Sequence, residues 1–367
     1  MVKVSGGGTI SSMGKIQFIH GYNYIISLEN LLEAWQEFIC GKKQRKDVQE
    51  FELNLMSNLI SLQKDLVVKT YKHSSYQSFN ISDPKPRIIH KASVRDRILH
   101  HAIYRQLYPF FNRTFIADSY SCRVGKGTHK AMDRFQSYAY KVSQNYTKNA
   151  WVLKCDISKF FHSIDQEILM EIIKSYIPDK DIQWLVSNII SGFYLTKKGI
   201  GLPLGNLTSQ LLVNIYMNEF DQFVKHRLKA KYYIRFADDF IFLSRDKEHL
   251  EDVLIEIRDF LWNKLQLQLH PHKTFIQTIT SGVDFLGWVH FPDHRVLRTK
   301  TKRRMYTKLL IRKQELEKNI ITEESFNQSL QSYLGILGHG RGHKISQDIL
   351  EIVNDPTEID EAGVDKL

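Results

Sequence analysis

The sequence has few cysteines, few prolines and no long apolar run, and each shortage excludes a class of protein. Its 367 residues include three cysteines and eight prolines. Cys40, Cys122 and Cys155 are too scattered for a disulfide framework or a CxxC metal site, which predicts a reducing, intracellular compartment. No stretch approaches the roughly 20 apolar residues that span a bilayer, and the N-terminus lacks the apolar region of a signal peptide. These shortages argue against disulfide-stabilised and membrane proteins.

Positive charge is abundant. Lys and Arg number 51 against 40 Asp and Glu, which gives a net charge of +11. The residues are 43% hydrophobic and 25% charged, which is typical of a folded globular protein. Basic residues concentrate at 42–46, 85–105, 225–231 and 298–313. This distribution predicts a polyanionic partner.

Apolar periodicity predicts a mixture of helices and strands. Within 26–66 the pattern predicts two amphipathic helices joined by a basic turn. Further helices are predicted over 95–111, 166–176, 181–190, 205–228 and 246–264, and from 300 onward. The predicted strands are a pair near 85–91, a buried strand at 151–156, a hairpin over 232–244 and a strand at 285–291. This order predicts an α+β fold with a mixed sheet in the middle of the chain.

Acidic residues at two strand ends carry the chemistry. Asp156 ends the apolar strand at 151–156, and Asp238 and Asp239 form the tip of the predicted hairpin. Carboxylates pressed against apolar strands are costly unless a cation compensates them. Because Mg²⁺ prefers oxygen ligands and keeps phosphate in its shell, the pattern predicts a two-metal site for phosphoryl or nucleotidyl transfer. The alternative is a solvated hairpin turn.

Several segments resemble motifs of reverse transcriptases, and they occur in the family's order over roughly residues 50 to 340. The segments at 236–239 and 153–161 resemble the aromatic-x-Asp-Asp box and the first catalytic strand. Those at 85–97 and 118–127 resemble the fingers motif and the "SYGFRPG" segment of bacterial reverse transcriptases. The segments at 267–274 and 285–288 resemble the lysine motif and the "FLG" motif. Ordered co-occurrence of many motifs is a much stronger signal than one Asp-Asp pair.

One segment resembles a particular branch of that family. Where most group II intron and retron-like enzymes carry "PQGxxxSP", residues 203–210 read PLGNLTSQ, so that Leu204 replaces the usual glutamine and Gln210 the usual proline. This pattern is similar to that of the reverse transcriptases of diversity-generating retroelements. The resemblance implies copying of a template RNA into cDNA with frequent errors opposite adenine, in mutagenic retrohoming.

The resemblance also implies roles for individual residues. Asp156 and Asp238 would ligate two Mg²⁺ ions, for which Mn²⁺ can substitute, with Asp239 and the backbone of Ile157 in secondary positions. The implied dNTP-binding residues, among which Phe161 is the steric gate against the 2′-hydroxyl, are Lys85, Arg87, Phe161, Leu204, Gly205, Gln210 and Lys273. The implied nucleic-acid contacts are Lys91, Arg123, Lys302, Arg303, Arg304 and Lys308.

The expected architecture is a right-hand polymerase with fingers, palm and a helical thumb. We expect a flexible lead-in at 1–25, N-terminal helices and fingers at 26–150, a palm at 151–292 with an insertion at 165–200, a thumb at 293–354 and an acidic tail at 355–367. The expected partners are template RNA, cDNA or primer, dNTPs and a small oligomeric accessory variability protein, with no membrane, in a bacterial or phage-encoded cytoplasmic enzyme. The alternatives are a non-diversifying group II intron-like, retron or phage-defence reverse transcriptase, and a catalytically silent RNA-binding protein.

Overall fold

The computed structural model describes residues 16–82, 85–194 and 197–354, and the chain divides into two units. The first comprises Met1–Cys122, Ile157–Lys229 and Glu256–His270, and the second Arg123–Asp156, Ala230–Ile255 and Pro271–Leu367. Most of the predicted lead-in and the whole acidic tail lie outside the described residues. Each unit combines segments that are distant in sequence, and the predicted bounds of fingers, palm and thumb stay predictions.

The described helices and strands occur in the following order. The helices are α1 (Tyr22–Ile25), α2 (Leu28–Ile39), α3 (Lys46–Glu52), α4 (Leu55–Val67), α5 (Val94–Thr114), α6 (Thr128–Val142), α7 (Phe160–Ser163), α8 (Gln166–Tyr176), α9 (Lys180–Ser191), α10 (Leu207–Gln222), α11 (Lys247–Leu265), α12 (Thr299–Glu317), α13 (Glu323–Leu337) and α14 (His343–Asn354). The strands are β1 (Gln77–Ile81), β2 (Arg87–Lys91), β3 (Trp151–Asp156), β4 (Tyr233–Phe236), β5 (Asp239–Ser244), β6 (Phe275–Thr278), β7 (Val283–Phe285), β8 (Trp288–His290) and β9 (Arg295–Leu297). None of the described helices is long and apolar enough to cross a bilayer.

The first unit is mainly helical. Helix α10 is buried on most of its surface and packs against α5 and α8, while α2 packs against α4 and α5. Its buried residues lie on several sides of the helix and include the polar Thr208, Asn214 and Asp221, which explains why 207–222 shows little amphipathic periodicity. The antiparallel hairpin β1–β2 is the sheet of this unit.

The second unit contains a four-stranded antiparallel sheet in the order β4-β5-β3-β6, on which α6 packs through β4 and β5. A three-stranded sheet, β7-β8-β9, follows it in the chain. Helices α12 to α14 share an apolar core with this smaller sheet, and that core includes Trp288, Leu309, Phe326 and Leu337. Buried central strands explain the near-continuous apolar sequence of β3 and β5.

Four sequence expectations need correction. The 26–66 region forms three helices, because α3 and α4 separate at Asn54, which occupies the N-cap position of α4, where asparagine is favoured. The predicted strand at 285–291 is a hairpin: Leu286 and Gly287 both have positive φ, as a two-residue type I′ turn requires. The helix predicted over 205–228 ends as a π-helix at Phe223–Arg227. The predicted flexible lead-in at 1–25 is wrong for its described part, because Phe18 and Tyr22 are buried and Tyr22–Ile25 is helical.

We predict opposite stability effects for two glycine substitutions in the second unit. A Cβ at Gly340 would overlap the indole of Trp288 and lie 2.9 Å from the carbonyl oxygen of Arg295, so Gly340→Ala should lower the free energy of unfolding by about 1–3 kcal/mol. Gly335 lies inside α13, and outside the helix's own backbone no described atom lies within 4 Å of the place that an alanine methyl group would take. Because alanine favours the helix more than glycine does, Gly335→Ala should raise the free energy of unfolding by about 0.5–1 kcal/mol. Urea melts of both variants check this, and equal effects would contradict it.

Candidate active site

Three aspartates gather at one edge of the four-stranded sheet in the second unit. The register of β3 and β5 places Asp156 directly opposite Asp239, so both side chains lie on the same face of the sheet. Asp238 immediately precedes Asp239 in the turn between β4 and β5. Like charges opposite each other destabilise a strand pair, so this edge requires compensating positive charge.

The turn that carries Asp238 has a strained backbone, which a hydrogen bond from Arg235 stabilises. Phe236 pairs with Asp239, which leaves Ala237 and Asp238 as a two-residue loop. Ala237 has a φ of +56°, a left-handed conformation that costs an L-residue roughly 1–2 kcal/mol. The fully buried Arg235 donates a hydrogen bond from Nη1 to the Ala237 carbonyl oxygen at 3.1 Å. A buried guanidinium thus holds the backbone of the turn.

Lys154 supplies positive charge from inside the sheet. It lies two residues before Asp156 and therefore on the same face of β3. Its Nζ lies 3.7 Å from Oδ2 of Asp239 and donates a hydrogen bond of 2.5 Å to the Asp284 carbonyl oxygen. The side chain of Lys154 is only 11% exposed, so water screens this interaction weakly.

Lys273 supplies positive charge from the solvent side. It ends the short 3₁₀ helix Pro271–Lys273, and its Nζ lies 3.1 Å from Oδ1 of Asp156. The side chain is 45% exposed against 18% for Asp156. The structure thus places Lys273, a predicted dNTP-binding residue, beside Asp156, a predicted metal ligand.

Asp239 is the carboxylate with the most perturbed environment. Burial raises its pKa to about 7, Lys154 opposes this shift, and the charges of Asp156, Asp238 and Asp284 add to it. Its Oδ1 has no hydrogen-bond partner among the described residues. A buried carboxylate oxygen that lacks a donor suits a cation, because an unpaired charge in this position is costly.

The donor chemistry at this edge fits Mg²⁺. Among the described residues, no group of three or more His, Cys, Asp or Glu is placed to hold a metal ion. Mg²⁺ is usually held by one or two carboxylates together with waters and substrate phosphates. Asp156 and Asp238 offer oxygens of this kind, and Asp239 has an oxygen that lacks a donor.

The predicted dNTP-binding residues other than Lys273 lie in the first unit. Lys85 and Arg87 are exposed at the β1–β2 hairpin. Phe161 lies in α7, in an edge contact with Phe160, and its carbonyl oxygen accepts a hydrogen bond from Leu202. Ile157 is buried and forms an isolated bridge with Leu269. Their predicted roles in binding the metal and the nucleotide stay predictions.

The segment with the unusual residues is fixed to β2 within the same unit. The amide of His90 donates to the Leu204 carbonyl oxygen at 3.0 Å, and Nδ2 of Asn206 donates to the His90 carbonyl oxygen at 3.0 Å. Gly205 between them has a φ of +108°, and a Cβ there would lie 2.7 Å from Cγ2 of Ile89. Only glycine meets both demands. Gln210 follows in the first turn of α10.

The predicted nucleic-acid contacts are divided between the units. Lys91 of the first unit forms an ion pair of 2.7 Å with Asp47. Arg123, in the second unit, is half-buried in the turn that precedes α6. The remaining four lie in α12: Lys302, Arg303, Arg304 and Lys308. Arg303 is exposed and the other three are half-buried, which is compatible with a phosphate-tracking surface.

Three residues of the site were not predicted. Lys154, Arg235 and Asp284 support the aspartates through contacts between strands or across a turn. The alternation of Lys154 with Asp156 on one strand was a detectable signal for the first of these. The contact of Asp284 with Lys154 joins segments 130 residues apart, so no sequence pattern could have predicted it.

The comparisons with known proteins agree with this geometry. The model of the family described as "Reverse transcriptase (RNA-dependent DNA polymerase)" matches residues 73–290, which is more than half of the chain. The chain belongs to the reverse transcriptase family. This confirms the predicted fold class, an α+β right-hand polymerase.

Relatives of this reverse transcriptase include intron-encoded proteins. It is 26% identical to Protein YkfC of Escherichia coli over 60% of this chain and 66% of that protein. It is 24% identical to the group II intron-encoded protein LtrA of Lactococcus lactis over 57% of this chain and 44% of that protein. It is 20% identical to a putative COX1/OXI3 intron 2 protein of Saccharomyces cerevisiae over 64% of this chain and 34% of that protein. The chain thus spans about one third to two thirds of the length of these relatives.

A solved structure of apo telomerase from Candida tropicalis, truncated from its C-terminal domain, is also similar. The identity is 14% and the TM-score 0.45, over 66% of this chain and 60% of that chain.

We predict that Asp239 makes stability depend on pH. Because its pKa is raised in the folded state, its contribution is fully present below about pH 4 and is lost as pH rises through about 7. The free energy of unfolding of Asp239→Asn minus that of the wild type should therefore increase across this window, by on the order of 4 kcal/mol or less.

Urea unfolding in EDTA at the two ends of the window measures this difference. Asp252→Asn, at an exposed position of α11, is the control for the removal of one aspartate charge. A flat difference for Asp239→Asn would show that Asp239 does not titrate in this range.

Proposed function

We propose that the chain is an RNA-directed DNA polymerase that copies a template RNA into cDNA. The observation that carries the proposal is the set of aspartates at one sheet edge, Asp156 opposite Asp239 with Asp238 in the adjoining turn, inside the segment that matches the reverse transcriptase family. A catalytically silent RNA-binding protein would not require half-buried carboxylates paired with two lysines. The chemistry of the site favours nucleotidyl transfer.

Each residue of the site has a separate role in the proposed reaction. Asp156 and Asp238 provide the oxygens that would hold Mg²⁺ or Mn²⁺, and Asp239 supports them. Bound Mg²⁺ would supply the charge that activates the primer 3′-hydroxyl and stabilises the leaving pyrophosphate. Lys154 balances the carboxylates from within the sheet, and the half-exposed Lys273 is able to neutralise or protonate the pyrophosphate. In the other unit, Arg87 and Lys85 would bind the triphosphate, and Phe161 would exclude the 2′-hydroxyl.

We further propose that this polymerase serves a diversity-generating retroelement. The support is the segment 203–210, in which Leu204 and Gln210 replace the residues usual in group II intron and retron-like enzymes. Leucine lacks the amide that would brace a templating nucleotide, so a looser pocket and frequent errors opposite adenine follow. Mutagenic retrohoming, a small oligomeric accessory variability protein and a cytoplasmic, bacterial or phage-encoded setting belong to the same proposal. A non-diversifying enzyme is the alternative.

We predict that Asp238→Asn abolishes primer extension. Loss of one metal-binding carboxylate should lower dNTP incorporation on an RNA template by about a thousandfold, or about 4 kcal/mol of transition-state stabilisation. Binding of the RNA itself, measured by fluorescence anisotropy, should stay within about twofold, because it depends on phosphate contacts elsewhere. Asp252→Asn is the charge-matched control. Primer extension by Asp238→Asn at the wild-type rate would contradict the polymerase proposal.

We predict that Leu204→Gln lowers the error frequency at template adenines. The added amide supplies hydrogen bonds to the templating nucleotide, while the backbone bond to His90 stays in place. Sequencing of the primer-extension products from wild type and variant measures the change. An identical error spectrum would contradict the proposed role of Leu204 without contradicting the proposed polymerase activity.

A further inference from the structure

The positive charges beside the three aspartates differ in how firmly they are held. Nζ of Lys154 donates a hydrogen bond of 2.5 Å to the Asp284 carbonyl oxygen, and its side chain is 11% exposed. The guanidinium of Arg298 pairs with the carboxylate of Asp284. Lys273, in contrast, is 45% exposed, and among the described residues Oδ1 of Asp156 is the one hydrogen-bond acceptor for its Nζ. Lys273 is therefore the cation at this edge that is least restrained.

The register of the sheet explains why Lys273 reaches Asp156. Strands β3 and β6 are antiparallel, with Lys154 opposite Phe275. Two residues further along β3 and two residues before Phe275, the same register brings Asp156 level with Lys273. On its other side, Asp156 lies opposite Asp239 of β5. Asp156 thus lies between a like charge and an opposite charge, and the lysine compensates it.

A divalent metal ion would need the same carboxylate. In the proposed function, Asp156 is one of the two residues whose oxygens would hold Mg²⁺ or Mn²⁺. The ammonium of Lys273 already lies 3.1 Å from Oδ1 of this residue. Two cations at one carboxylate repel each other, and the repulsion is stronger than in water because the Asp156 side chain is only 18% exposed. The lysine and the metal ion are therefore antagonists at Asp156.

Of the two lysines at this edge, Lys273 is the one that a metal ion is able to displace. An ion pair with one half-exposed partner is weak, and the ammonium of a lysine is carried on a flexible four-carbon stem. Displacement therefore costs little and returns the ammonium to water. Lys154 lacks this freedom, because its stem is buried and a backbone carbonyl oxygen holds its Nζ. We expect Lys154 to keep its position beside Asp239.

We propose that Lys273 and a divalent metal ion compete for the carboxylate of Asp156, so that Lys273 leaves this carboxylate when the metal binds. The inference rests on the proposed function, because that function gives Asp156 its role as a metal ligand. It adds an order of events to the reaction. The ammonium of Lys273 becomes available to the pyrophosphate only in protein molecules that have bound the metal.

The first test measures the affinity of the full chain for Mn²⁺, without nucleic acid or dNTPs, from the electron paramagnetic resonance signal of free Mn²⁺. Lys273→Met keeps an apolar stem and removes the charge, so it should bind Mn²⁺ about threefold to tenfold more tightly than the wild type. Lys273→Arg keeps the charge and should not bind Mn²⁺ more tightly than the wild type. Lys148→Met, at an exposed position of the same unit, is the control for the loss of one positive charge.

The second test follows Lys273 in the wild-type protein. Competition is reciprocal, so a metal ion that Lys273 weakens must in turn release Lys273 by the same factor. Acetylation by acetic anhydride, quantified by peptide mass spectrometry, should therefore become about threefold to tenfold faster at Lys273 when Mn²⁺ replaces EDTA. The rate at the buried Lys154 should not change. In Asp156→Asn, Lys273 should react at the faster rate already in EDTA and should not respond to Mn²⁺.

Three results would overturn the proposal. The first is a Mn²⁺ affinity of Lys273→Met that equals the wild-type value or is weaker, as a purely structural role of the lysine would give. The second is an equal gain of affinity in Lys148→Met, which would assign the effect to net charge. The third is an acetylation rate at Lys273 that Mn²⁺ leaves unchanged or that rises equally at Lys154. The acetylation of the wild type needs no variant, so it decides the question even where Lys273→Met does not fold.

Primer extension on the same wild-type samples separates this inference from the proposed function. Extension on an RNA template with Mn²⁺, together with a Lys273 that does not respond to the metal, overturns the competition alone. Competition at Asp156 in a protein that extends no primer overturns the polymerase proposal alone. Binding of Mn²⁺ that Asp156→Asn does not weaken would overturn both, because the metal would then lie elsewhere.

Discussion

The concentration of negative charge at one sheet edge is the constraint on which the second unit depends. Asp156 faces Asp239 across two paired strands, so β3 and β5 keep this register only with compensating charge. Lys154 gives that compensation and is itself held by the Asp284 carbonyl oxygen, while the Asp284 carboxylate pairs with Arg298 at the start of α12. A continuous series of polar contacts therefore joins the aspartates to the start of α12.

Backbone strain accompanies the same chemistry. Ala237 adopts a left-handed conformation directly before Asp238, and the buried Arg235 satisfies its carbonyl oxygen. In the first unit, Gly205 has a conformation that only glycine tolerates, and flanking hydrogen bonds to His90 hold it there. Strained positions persist only where the surroundings over-determine them. In both units the unusual backbone conformation lies beside residues that the resemblance implies in catalysis or dNTP binding.

The sequence was sufficient for features that depend on neighbouring residues. Apolar strands that end in acid residues predicted Asp156, Asp238 and Asp239, and helical periodicity predicted most of the helices. It was insufficient where distant segments meet, as in the contact of Lys154 with Asp284, or where a residue adopts an unfavoured conformation. Leu286 at positive φ is such a case, because a turn of this type normally carries Asn or Gly and leucine gave no signal of it.

The family match and the individual residues answer different questions. Membership in the reverse transcriptase family follows from the match over residues 73–290 and agrees with the three aspartates at one sheet edge. It does not explain the neutral His100 and His101, whose Nδ1 atoms have no hydrogen-bond partner among the described residues, because nucleotidyl transfer makes no demand on them. Unsatisfied buried groups reduce stability, so their persistence needs a compensating interaction.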